Sequence, residues 1–107
     1  MSWFRRSRGA GSPGSELSRS DVSSARRHLE AFVASRRGVE AYIEPATHVT
    51  STTVVLIAHD GEWTRRACPT RQAAFELAHK LGVPTYDVNL TGYPARMREW
   101  TSRQRNE

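Results

Sequence analysis

The chain is predicted to fold as one α+β domain, a mainly antiparallel sheet with helices packed on it, in the order α-β-β-β-α-β-α. Three observations carry this expectation. Apolar residues recur at helical spacing from Asp21 onward, two β-patterned runs meet at Asp60-Gly61, and a second helical stretch opens at Thr70 behind a proline. The chain has 107 residues, the usual size of a single domain, and its apolar residues are concentrated after Asp21.

Residues 1–20 are rich in Gly, Ser, Pro and Arg and show no apolar period, so they are expected to be a disordered basic arm, with residues 21–107 forming the domain. Val22, Ala25, Leu29, Phe32 and Val33 then form one stripe of a helix over about 22–37, with Ser20 or Asp21 as its cap and Gly38 after its last turn. Arg26, Arg27, Arg36 and Arg37 lie off that stripe, on a solvated face.

Val39 to Glu44 alternates, with Val39, Ala41 and Ile43 on one side and Glu40, Tyr42 and Glu44 on the other, and predicts a strand with one wet face. Thr52 to His59 is apolar on both faces and predicts a strand buried on both. Asp60-Gly61 is the dipeptide favoured by two-residue type I′ turns, so Glu62–Cys68 is expected to return as the antiparallel partner. After Pro69, Thr70 caps a helix with Ala74, Leu77, Ala78 and Leu81 inward and Gly82 at its end. Thr85–Leu90 reads as a fourth strand, and Gly92-Tyr93-Pro94 opens a basic C-terminal helix on which Tyr93, Met97 and Trp100 align. The second strand needs cover on both faces, which must come from the C-terminal helix or from a second copy of the chain.

Net charge is +5, and its distribution is uneven: +5 over residues 1–37, −2 over 38–90 and +2 over 91–107. Basic termini of this kind suit nucleic acid, an anionic surface or an acidic protein. Fifteen of the sixteen basic residues are arginine, which fits bidentate phosphate recognition and equally a GC-rich coding bias. The single Cys68 forms no internal disulfide, and with no secretory h-region and no long apolar run the expected location is a reducing cytoplasm, without a membrane span.

Motifs for chemistry are sparse. Gly9, Gly11 and Gly14 lie in the arm rather than between a strand and a helix, so they do not form a dinucleotide fingerprint, and no cofactor is expected. His28, His48, His59 and His79 are scattered without metal-ligand spacing. Cys68 precedes a helix start, where the macrodipole lowers a thiol pKa; as a lone cysteine it reads equally as a buried hydrophobe. What remains is a set of aromatic and basic residues: Trp3, Arg5, Arg6 and Arg8 in the arm, Trp63, Arg65 and Arg66 on the hairpin, and Arg96, Arg98 and Arg103 on the last helix, with Tyr93 and Trp100 beside them. Interleaved stacking and phosphate-binding groups are what a nucleic-acid surface needs, while packing of Trp63 and Trp100 on the sheet explains the same spacing.

The stretch VEAYIEPATHVTSTTVVLIAHDGEWTRR, with AAFELAHKLGVPTYDV and GYPARMREW after it, resembles a set of small actinobacterial proteins without assigned function, over nearly the whole chain including the MSWFRR start. Members of that set often carry a bare oxidoreductase label, so the resemblance implies a redox role, through Cys68 or a bound cofactor. A weaker likeness, of topology alone, is to the α-β-β-β-α order of double-stranded-RNA-binding domains, in which Pro45 and His48 fall in the first loop. The leading expectation is a non-catalytic module that contacts nucleic acid or a ribonucleoprotein; the alternative is a protein-interaction or homodimerisation module, with a redox protein third.

Overall fold

The computed structural model describes residues 17–106, so the arm residues Trp3, Arg5, Arg6 and Arg8 and the disorder expected of them lie outside the described residues. The elements are α1 (Arg19–Ser35), β1 (Glu40–Glu44), β2 (Thr53–Ile57), β3 (Trp63–Ala67), α2 (Arg71–Leu81), β4 (Thr85–Asp87), α3 (Val88–Thr91) and α4 (Ala95–Arg105). The four strands form one mixed sheet in the order β3-β2-β1-β4, antiparallel except for the parallel β1/β4 pair. The fold class is the α+β arrangement that periodicity predicts, with one short helix added.

α1 begins three residues before the expected boundary because Ser18, not Ser20 or Asp21, is its cap. The Ser18 hydroxyl accepts from the Asp21 amide at 3.0 Å while the Asp21 carboxylate accepts from the Ser18 amide at 3.2 Å, a reciprocal capping box. The helix ends at Ser35 rather than 37. Arg36 turns to extended backbone there, grips Glu62 with two nitrogens at 3.2 and 2.6 Å, and lies over the Phe32 ring at 4.5 Å. A tertiary partner on the hairpin therefore terminates this helix, an event that its own spacing does not record.

β2 is buried along its whole length. Val54, Leu56 and Ala58 face a core built with Leu29 and Phe32 of α1 and Ala74 and Ala78 of α2, joined by Ala41 and Ile43 of β1. Val55 and Ile57 face the opposite way, together with Tyr42, under Trp63, Tyr86, Tyr93 and Met97. The wet face expected for β1 is thus covered: Tyr42 is 6% exposed, stacked on Tyr86 at 5.2 Å and tilted against Tyr93 at 5.8 Å. The C-terminal segment supplies the second cover, which removes the sheet-based reason for a second copy of the chain.

The Asp60-Gly61 hairpin forms, with a three-residue loop instead of the two-residue one. Ala58 and Glu62 still pair, the Ala58 amide donating to the Glu62 carbonyl at 2.8 Å, and the Gly61 amide closes a turn on the Ala58 carbonyl at 2.9 Å. Gly61 sits at φ 96°, the left-handed bulge position of such loops. α2 starts at the Thr70 cap and ends at Gly82, φ 74°, as its signals predict.

β4 is shorter than the Thr85–Leu90 expectation. The Asp87 carboxylate accepts from the Asn89 amide at 2.8 Å and starts a helical turn, so the alternation of Val88 and Leu90 is helical surface and Leu90 is 85% exposed. α4 starts at Ala95, with Pro94 in extended backbone at the position before it.

Candidate functional site

The hairpin and α4 bring together most of the residues singled out from the sequence, and several of them are tied to other groups of the fold. The Trp63 indole donates to the Thr101 hydroxyl at 2.9 Å. Arg96 donates from Nε to the Ala58 carbonyl at 3.0 Å and from a terminal nitrogen to Glu40 at 2.7 Å, and Arg103 donates to the Asp60 carbonyl at 3.0 Å. Arg65 pairs with Glu44 at 2.6 Å, and the same carboxylate accepts from the Tyr93 hydroxyl. No residue of α4 is fully buried. The helix is therefore held by this polar clasp together with Tyr93 and Met97, in place of the broad apolar stripe of an ordinary covering helix.

The clasp shifts its own titrating groups. Burial raises the Glu40 pKa, but hydrogen bonds from Arg96 and Tyr42 outweigh it and hold the carboxyl below its usual range. Tyr42 is pushed up to about 12, first by burial and then by donating to Glu40 at 2.9 Å; Tyr93 moves the same way for the same reasons, with Glu44 as acceptor. These groups keep fixed charge states through the neutral range, which suits fastening and disfavours proton transfer.

Gly61 marks how closely α4 approaches. It is buried, and a Cβ on it would stand 2.0 Å from the Arg96 carbonyl oxygen and 2.9 Å from Trp100 Cβ. Only glycine meets both this contact and the positive φ.

Arg66 and Arg98 differ from their neighbours. Both are exposed, and each donates only to a nearby carbonyl, Arg66 to Arg65 at 2.7 Å and Arg98 to Tyr93 at 3.4 Å. Arg71 at the start of α2 is also occupied: it pairs with Asp87 at 2.8 Å and lies over Phe75. His48 stands on the exposed loop between β1 and β2. Cys68 is 4% exposed and burial pushes its thiol up to about 11, the reverse of the activation that a helix start offers. Among the described residues no cluster of His, Cys, Asp and Glu is arranged to hold a metal ion, and no helix is long and apolar enough to cross a membrane.

A second feature was not legible in the sequence. β3 is an edge strand, and its ladder with β2 is phased by the Ala58/Glu62 and Thr52/Cys68 backbone bonds. Antiparallel pairing alternates, so Glu62, Thr64, Arg66 and Cys68 turn their backbone groups toward β2, while Trp63, Arg65 and Ala67 turn theirs outward. Beside this edge runs a groove of about 400 Å³ lined by His28, Ala31, Phe32 and Ser35 of α1 and by Trp63 and Thr64 of β3. His28 is tied to the Thr64 hydroxyl at 2.6 Å. Burial first, and then the charges of Arg66 and Arg36, lower the His28 pKa, which registers positive potential in the groove. No local signal reveals the groove, because it depends on how α1 registers against a strand about ten positions beyond its partner strand.

No protein-family profile, no curated protein and no solved structure matches this chain.

Proposed function

We propose that this chain is a non-catalytic protein-interaction module, cytoplasmic, whose partner is received along the open edge of β3. One observation carries the reading: the fold uses Trp63, Arg96 and Arg103 to fasten α4 and Arg65 to pair with Glu44 of β1, and leaves an edge strand beside a helix-walled groove among the described residues. Strand addition between a helix and a sheet edge is a recurrent way of binding extended peptides, with main-chain hydrogen bonds for affinity and groove contacts for selection. A redox role through Cys68 would need a thiolate, which its burial disfavours.

The test uses the full chain and the substitution Ala67→Pro. The amide at 67 faces outward, where an edge strand tolerates proline, so the fold is retained while one ladder position is lost. Cross-linking to proteins of a nuclease-treated lysate is expected in the wild type and reduced in the variant. Equal cross-linking in both would overturn the edge as the contact.

A second reading, contact with nucleic acid or a ribonucleoprotein, is favoured by the exposed Arg66 and Arg98 together with Trp3, Arg5, Arg6 and Arg8 of the arm. It expects amide shifts on titration with RNA or DNA at low salt that vanish steeply as salt rises.

A further inference from the structure

Building on the edge-strand reading, we infer that the segment received by β3 is an extended acidic peptide of another protein, with a carboxylate side chain set opposite Arg66. The chemistry of the edge selects this occupant over the others. Arg66 lies at the outer margin of β3, and its guanidinium already donates to an outward backbone acceptor, the Arg65 carbonyl. An incoming backbone amide takes over that carbonyl, and the guanidinium turns to the side chain lying across from it. Arg36, the neighbouring cation, is neutralised by Glu62, whereas Arg66 has no carboxylate partner among the described residues.

A second copy of the chain fits poorly. Antiparallel pairing of β3 with itself, centred on Arg65, sets Thr64 across from each Arg66, so both guanidiniums stay at the seam without a carboxylate to meet. Arg5, Arg6 and Arg8 make the chain's own arm the wrong charge for the same place. A nucleic-acid strand would satisfy Arg66 but not the outward amides and carbonyls of Trp63, Arg65 and Ala67, because those carbonyls face phosphate with like polarity. An acidic peptide strand satisfies both the alternating backbone and the charge.

The experiment titrates the full chain with three capped octapeptides, followed by amide and imidazole resonances. One alternates valine and glutamate, one carries lysine in place of glutamate, and the third is the glutamate peptide N-methylated on alternate amides. The glutamate peptide is expected to shift the amides of Trp63, Arg65 and Ala67 more than those of Thr64 and Arg66, and to move the His28 ring signal. The lysine peptide should bind about tenfold more weakly, a repulsion replacing an attraction opposite Arg66, and the N-methylated peptide not at all. Arg66→Glu should invert the preference between the first two.

Equal binding of the glutamate and lysine peptides would overturn the acidic partner while leaving strand docking in place. If neither peptide moves the β3 amides and Ala67→Pro leaves cross-linking unchanged, the edge-strand reading itself fails. Single-stranded RNA, a peptide of residues 1–16, or concentration-dependent self-association shifting the same amides as strongly as the glutamate peptide would each overturn the proposal in favour of that occupant.

Discussion

Gly61→Ala is the substitution expected to report most directly on how this fold is closed. The backbone at 61 lies at φ 96°, and a side chain in left-handed territory costs about 1 to 2 kcal/mol. The added methyl also meets the Arg96 carbonyl oxygen at 2.0 Å, so α4 must withdraw by roughly 1 Å before the contact reaches even 3.0 Å. That movement stretches the bonds from Arg96 to the Ala58 carbonyl, now 3.0 Å, and from Arg103 to the Asp60 carbonyl, also 3.0 Å. A charge-assisted hydrogen bond to a partly buried group is worth about 1.5 to 3 kcal/mol, and the exposed Arg103 contributes much less. The total comes to about 3 to 5 kcal/mol, a large share of the stability of a domain this size. Urea unfolding followed by tryptophan fluorescence measures it, with the Trp63 indole resonance reporting the Thr101 bond separately. A loss below about 1 kcal/mol with that resonance unmoved would refute the close-approach argument.

Other consequences of the clasp and core are independently measurable. Arg96→Met should cost about 2 kcal/mol at neutral pH, since it leaves Glu40 and the Ala58 carbonyl without their donor, and should flatten the acid dependence of stability. That dependence has a definite sign: Glu40 has a depressed folded pKa, so its stabilisation is complete above the ordinary value of 4.5 and is lost as pH falls through the folded one. At the alkaline end Tyr42 is raised from 10.0 to about 12, so its contribution is present below 10.0 and is lost as pH rises through 12, a loss that Tyr42→Phe should remove from the tyrosinate absorbance titration and the unfolding midpoint alike. Cys68 should react with a thiol reagent only as fast as the protein opens, and faster in urea. Leu90→Ser should leave the unfolding free energy in urea within about 0.5 kcal/mol of wild type, because this residue is helical surface and not strand core.

Where the sequence was informative, the reason was local. The Thr70 cap, the Gly82 stop, the Asp60-Gly61 reversal and the double-sided apolar run of β2 are each decided by neighbours within a few residues, and each appears where periodicity and turn chemistry predict it. The α+β class follows from those four features. The start of α1 lies three residues ahead of its expected boundary because Ser18 and Asp21 act as a pair, and β4 ends early because Asp87 competes with the ladder for a backbone amide. The aromatic and basic residues of the hairpin and α4 were visible as a group, but spacing alone left open whether they pack or recognise.

The tertiary structure decided that question, because the partners lie far apart along the chain. Glu40 meets Arg96 and Trp63 meets Thr101 across separations that no periodicity encodes, and these meetings convert candidate contact residues into fasteners. The same closure covers the second face of β2 from within the chain and turns Gly61 from a hairpin residue into the seat of a helix. It also leaves β3 at the margin with α1 beside it. Sequence alone determined the elements and their order through short-range propensity and capping; only the folded chain determined which charges are spent internally and which edge is left open, since both depend on long-range register.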